Sequence, residues 1–185
     1  MYYMLDCRAP AGHYPAMVTY RPDRPGRSWI LGRRFDPPMP EPVRATVKMR
    51  RKSVLTELVK VPLPLMSARL HRALQEAGVS NLDVYRAEIK DEDSGQIHAD
   101  HLAFNIIGVI AAADLAKSIY VAPDGPMVSV DFDSLALDAA RARGALMFRL
   151  AESVSGIVVH ESVRKAVEAA GIDSLSFTVP ADWAG

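Results

Sequence analysis

The sequence predicts an α+β fold: a mixed, mostly antiparallel sheet with three to four helices and an irregular, Pro-rich N-terminal region. Three observations lead there. Short runs of period-two hydrophobicity recur along the chain and read as strands. Helical patterns fall between some of them, without the strict strand–helix–strand rhythm of a doubly wound sheet. Ten of the 13 prolines lie in the first 64 residues, where a missing N–H and a fixed φ oppose both helix and central strand.

A chain of 185 residues fits one domain, 1–185, in which a Pro-rich, basic region (1–60) packs on an α+β body (61–185). A chain of that size buries roughly 70% of its unfolded surface, so no disulfide or metal staple is needed. The lone cysteine, Cys7, rules out an internal disulfide and fits a reducing compartment. At the N-terminus Asp6 and Arg8 interrupt any secretory leader. The most apolar run, 102–113, contains Asn105 and falls short of the ~20 residues of a membrane span. The expectation is a cytoplasmic protein that does not enter a membrane.

In the first 60 residues, strands are expected at 2–5, 16–20, 28–31 and 44–49. The prolines of 22–25 and 37–42 turn the chain between them, and Trp29 and Phe35 are the natural aromatic anchors. A helix-strand unit follows. Ser67 is placed to cap a helix, because its hydroxyl can accept from a free first-turn N–H. Leu70, Ala73, Leu74 and Ala77 then share one face. Gly78 suits a left-handed C′ position, with Val79 and Leu74 as the apolar pair of a Schellman ending. Residues 157–179 repeat this grammar, with Val163, Ala166, Val167, Ala170, Gly171 and Ile172 in the matching places. Each helix feeds a strand, through Leu82 and Val84 or through Leu175 and Phe177.

Strands at 81–89 and 97–107 read as an antiparallel hairpin whose turn is marked by Ser94-Gly95. A short helix is expected at 111–117 and a short strand at 119–121. Pro123-Asp124-Gly125-Pro126 is a turn, and a strand is expected at 127–131. Asp133 or Ser134 then caps a helix through 141, with Leu135 and Ala139 inward and Gly144 ending it. Strands at 145–150 and 157–159 lead into the second unit, Pro180 stops the last strand, and Trp183 closes the chain.

Candidate chemistry is sparse. His98-Ala99-Asp100-His101 is the densest set of metal-ligand types, but on one strand His101 points away from His98 and Asp100. His160-Glu161 begins like a zincin motif, yet Arg164 stands where the second histidine belongs. No nucleophile elbow, Walker loop or dinucleotide-binding turn is present. Asp131 and Asp133 are compatible with a divalent ion or a glycosidic bond, but are read in preference as a surface residue at a strand end (Asp131) and the cap of the following helix (Asp133). No catalytic residue, cofactor or bound metal is therefore expected.

Charge is uneven. Residues 1–60 hold 12 Lys+Arg against 5 Asp+Glu, and residues 61–185 hold 10 against 17. The basic stretch Lys48, Arg50, Arg51, Lys52 lacks interleaved aromatics, so nucleic acid is not the expected partner. Asp91, Glu92 and Asp93 at the hairpin tip, with Asp131 and Asp133, can instead face a basic protein and speed its capture.

A set of features in order along the chain carries a resemblance. It comprises Met1-Tyr2-Tyr3, Trp29 with Gly32, and Pro64, Leu65 and Ser67 before the first helix. It continues with Gly78, Asp114 with Ser118, the 146–150 strand, Val158-Val159 and Phe177. In these the chain resembles a family of immunity proteins from bacterial polymorphic-toxin systems. The resemblance implies a non-catalytic protein that binds a cognate secreted toxin and neutralises it by occlusion. The alternatives are a metal-assisted hydrolase using His98, Asp100 and His101, and a scaffold subunit suggested by the basic N-terminal region.

Overall fold

In the computed structural model, which describes residues 1–22, 27–121 and 129–185, both helix-strand units form as their local chemistry dictates. Helix α1 (Ala68–Glu76) starts at Ser67, whose hydroxyl accepts from the Leu70 N–H at 3.0 Å. At its end Gly78 is left-handed, with φ of 89°. The Val79 and Gly78 N–H groups donate to the Leu74 and Gln75 carbonyls at 3.0 and 2.9 Å, the bond pair of a Schellman ending. Helix α2 (Glu161–Ala169) stops the same way, with Gly171 at φ 70°. There Ile172 and Gly171 donate to Val167 and Glu168 at 3.3 and 2.9 Å. Its N-cap is His160, whose Nδ1 accepts from the Ser162 N–H at 3.3 Å.

The strands of the first half are β1 (Tyr2–Cys7), β2 (Tyr14–Pro15), β3 (Met17–Thr19), β4 (Val43–Lys48), β5 (Ser53–Val54), β6 (Leu58–Val59), β7 (Leu65–Ser67) and β8 (Leu82–Asp91). Those of the second half are β9 (Ile97–His98), β10 (His101–Ile106), β11 (Val109–Ile110), β12 (Ile119–Val121), β13 (Asp131–Ser134), β14 (Met147–Leu150), β15 (Ile157–His160) and β16 (Leu175–Thr178). One sheet runs β11-β14-β15-β1-β16, antiparallel except at β11/β14. A seven-stranded sheet runs β3-β4-β8-β10-β7-β6, with β9 also paired to β8. Its one parallel pair, β4/β8, is where the N-terminal region joins the body, aligning Val43 with Ala87 and Ala45 with Ile89. Two short ladders, β12-β13 and β2-β5, complete the pairing.

Alternation along these strands makes three apolar interiors. The central one lies between the sheets and is closed by both helices: Tyr3, Leu5, Phe104, Ile106 and Val159 meet Leu70, Leu74, Val163 and Val167. On the far side of the five-stranded sheet, Tyr2, Met4, Phe148 and Leu150 pack with Phe132, Leu135 and Trp183. The seven-stranded sheet packs Val47, Leu65, Tyr85 and Ile89 against Trp29 from the Pro-rich region. Trp29 is buried and sits edge-on to Phe35 and Tyr85, at 4.7 and 5.7 Å between centroids. The expected anchors therefore hold, although Phe35 is only half-buried.

The fold is sheet-dominated, and the described residues contain two α-helices, where three to four were expected. Residues 111–117 and 134–141 do not coil, because each supplies the other's hydrogen bonds. The Asp114 N–H donates to the Ala136 carbonyl and the Asp138 N–H to the Ala112 carbonyl, both at 2.8 Å. The Ser118 hydroxyl donates to the Asp114 carbonyl and accepts from the Ala136 N–H, at 2.8 and 2.9 Å. These are the backbone groups a helix would use internally. Ala112, Ala113, Leu135 and Ala142 are buried by this pairing, while Ala139, expected inward, is exposed. Asp133 lies in β13 and caps nothing.

Residues 28–31 are likewise bends and not a strand. Gly32 turns left-handed there, with φ of 68°, and a Cβ on it would lie 2.8 Å from the Gly108 carbonyl carbon. The strand expected at 127–131 is displaced to β13. Its first two positions, like 23–26 and the turn at 123–126, lie outside the described residues. Among the described residues no helix is long and apolar enough to cross a membrane.

Gly78→Ala forces a Cβ into the left-handed region and is expected to cost about 1–2 kcal/mol. Phe104→Ala, which empties the centre of the shared interior, is expected to cost about 3–5 kcal/mol. Urea denaturation followed by circular dichroism checks both, and equal midpoints for wild type and Gly78→Ala would refute the capping assignment.

Candidate functional site

The β8–β9 hairpin carries the first acidic group. Its two strands pair Ile89 with His98 and Lys90 with Ile97, so residues 91–96 must reverse the chain, and Gly95 does so at φ 73°. The Asp91 carboxylate turns inward and is buried. It accepts from the Ser94 hydroxyl, from the Asp93 N–H at 3.2 Å and from the Met49 N–H at 3.4 Å. The Ser94 hydrogen bond is the main reason its pKa falls below the ordinary 3.8, with burial opposing. Asp91 therefore ties the tip to the end of β4 and presents little charge to a partner. Glu92 and Asp93 are exposed, and Glu92 accepts from the Thr46 hydroxyl at 2.7 Å.

Glu92 also borders an open groove of about 620 Å³ on the face of β3, β4 and β8 that is turned away from Trp29. The register Thr19–Thr46–Lys90–Ile97 lays one row of side chains across four strands. Arg44 and Glu88 pair beside that row at 3.5 Å. The lining carries both signs of charge, as a water-facing sheet surface does.

The second acidic group lies in a different part of the fold. In the β12–β13 ladder Tyr120 aligns with Phe132 and Val121 with Asp131. Phe132 points into the interior beside Tyr120, with rings 6.0 Å apart. Strand alternation then sends Asp131 and Asp133 outward, and both are exposed. Among the described residues their side chains have no ion pair and no hydrogen bond. The hairpin tip belongs to the seven-stranded sheet and this ladder to the layer on the five-stranded sheet, so the five acids nominated from sequence form two patches.

The histidine cluster does not assemble a metal centre. The strand breaks at Ala99 and Asp100, which brings Asp100 back against the buried His101. His101 faces Asp100 Oδ1 with Nδ1 and the Thr56 carbonyl with Nε2, both at 3.0 Å. Both ring nitrogens thus meet acceptors, leaving neither to ligate an ion. Burial pulls the Asp100 carboxyl upward, but the hydrogen bond and charge of His101 outweigh it and leave the pKa lowered. No group of three His, Cys, Asp or Glu among the described residues is placed to hold a metal. His160, the start of the failed zincin match, is spent on capping α2.

One charged side chain escaped the sequence reading, because its run, MFRL, looks only like a strand. Arg149 is fully buried in β14. One guanidinium nitrogen donates to the Val154 carbonyl at 2.8 Å, and its Nε and the other terminal nitrogen have no partner among the described residues. Burial pushes its pKa down to about 10, which leaves it charged at neutral pH.

Two expected outcomes follow from these side chains. With its pKa lowered in the fold, Asp91 contributes stability that is fully present above 3.8 and is lost as pH falls through the depressed value. Asp91→Asn should therefore destabilise the protein at every pH above 3.8, and the gap to wild type should close only as pH falls through the depressed value; a melting-temperature gap that does not narrow at the acid end would contradict this. Arg149→Met removes a buried charge with two donors that have no partner among the described residues, and should leave stability unchanged or raise it. A lower denaturation midpoint would show that the Val154 bond outweighs the cost of burial.

No curated protein matches the chain. A family model described as "Immunity protein family (Imm11)" matches residues 2–182, taking in both helices, both sheets and each acidic patch. The chain belongs to the Imm11 immunity protein family, a family of immunity proteins and not of enzymes.

Proposed function

We propose that this protein binds a cognate secreted toxin in the cytoplasm of the cell that produces it and neutralises the toxin by occlusion. The match to an immunity family over residues 2–182 carries that reading. Occlusion asks for a rigid framework with recognition groups on its outside, and paired sheets around a shared interior supply the framework. The contact groups proposed are the two acidic patches: Glu92 and Asp93, held in place by the inward Asp91, and Asp131 with Asp133. Exposed carboxylates favour encounter with a basic surface and raise the association rate more than they raise affinity.

Co-expression with the toxin encoded beside this protein tests the proposal. The expected outcome is restored growth and co-purification, and growth arrest despite soluble expression of both would refute it. Reversing Glu92, Asp93, Asp131 and Asp133 to lysine is expected to slow association about tenfold or more at low salt, with a smaller effect at high salt. An association rate that ignores both charge and salt would remove the acidic patches from the interface.

A further inference from the structure

The β12–β13 ladder presents more than carboxylates. Tyr120 and Phe132 face inward, so the same alternation turns Ile119 and Val121 outward on β12. They are 63% and 61% exposed, among the most exposed large hydrophobics of the described residues. Asp131 is the cross-strand partner of Val121, and the exposed Asp133 lies at the register shift that sets Ile119 opposite Ser134. Among the described residues β13 is the only strand hydrogen-bonded to β12. Two β-branched side chains and two carboxylates with no ion pair or hydrogen bond among the described residues therefore share this short ladder.

We propose that this face is the principal docking surface for the toxin, and that it receives a basic segment carrying an apolar side chain. The inference rests on the toxin-binding reading above and selects between its two patches. Stable interfaces need a desolvated apolar centre with charge around it. The β12–β13 face supplies both parts: Ile119 and Val121 for the centre, and Asp131 and Asp133 for complementarity to cations. At the hairpin tip, by contrast, Asp91 is committed to the turn and Glu92 to Thr46, and the groove beside them already contains Arg44, Lys90 and Arg21. A basic partner would meet those cations there, whereas the β12–β13 acids have no ion pair among the described residues.

The test uses the full-length protein and the purified toxin encoded beside it. Ile119→Ser with Val121→Ser should weaken binding measured by calorimetry about tenfold or more, with an unchanged melting temperature because neither side chain is buried. Asp131→Asn with Asp133→Asn should slow association and flatten its salt dependence, while Glu92→Gln with Asp93→Asn should leave both near wild type. Wild-type affinity in the Ile119/Val121 variant overturns the inference, as does a loss confined to the Glu92/Asp93 variant. A wild-type dimer in light scattering that this variant converts to monomer overturns it too, since the occupant is then a second copy of the chain. Failure of the wild type to bind toxin at all refutes the toxin-binding reading itself, an outcome distinct from these.

Discussion

Every other part of this structure depends on the interior enclosed between its two sheets. Phe104 and Ile106 from one sheet and Tyr3, Leu5 and Val159 from the other converge there, and the apolar faces of α1 and α2 close the opening. Each side chain of this size is worth roughly 1.5–3 kcal/mol when fully buried, so the cluster as a whole outweighs any single cap or ion pair. Neither helix is long enough to persist alone in water; each exists because its Leu or Val stripe has somewhere to go. Arg69 adds direction to the arrangement. From the first turn of α1 it donates to the Ala170 and Gly171 carbonyls at 3.0 and 2.6 Å, where the end of α2 has acceptors to spare.

The outer layers follow from that centre. Strand alternation gives each sheet a second apolar face, and both second faces must be covered. The Pro-rich region covers one by inserting β4 beside β8 and seating Trp29 on Tyr85. Segments 111–118 and 130–142 cover the other, cross-bonded to each other and pinned by Phe132 and Trp183. The covers are built from short ladders and turns, so their own outer surfaces stay wet. Recognition residues can change there without disturbing the centre. The toxin-binding function proposed above would use that separation, because specificity for one partner can then be tuned without altering the fold.

Local signals were the legible part of the site and of the fold. Ser67, Gly78 and Gly171 mark helix ends through hydrogen bonds that close within a few residues, and the Ser94-Gly95 turn is set by one left-handed glycine. The acidic residues were legible as charge but not as geometry: the DED run reads as three equivalent carboxylates, whereas Asp91 faces inward to its own turn. His98, Asp100 and His101 read as ligand types, and their real partners include the Thr56 carbonyl, 45 residues away. Ile119 and Val121 read as an ordinary strand, and their exposure becomes visible only once Tyr120 between them is seen to pack beside Phe132.

By itself the sequence determined where α1 starts, where α1 and α2 stop, and that the chain resembles an immunity family, because capping and turn chemistry act over a few neighbouring residues. Only the tertiary structure decided that 111–117 and 134–141 pair with each other, since their alanine-rich patterns suit a helix until the Ala112 and Ala136 carbonyls find better donors across the fold. Tertiary packing likewise separated the acids into two patches and buried Arg149. Long-range hydrogen bonds and layer packing settle such questions, and neither leaves a periodic trace in the order of residues.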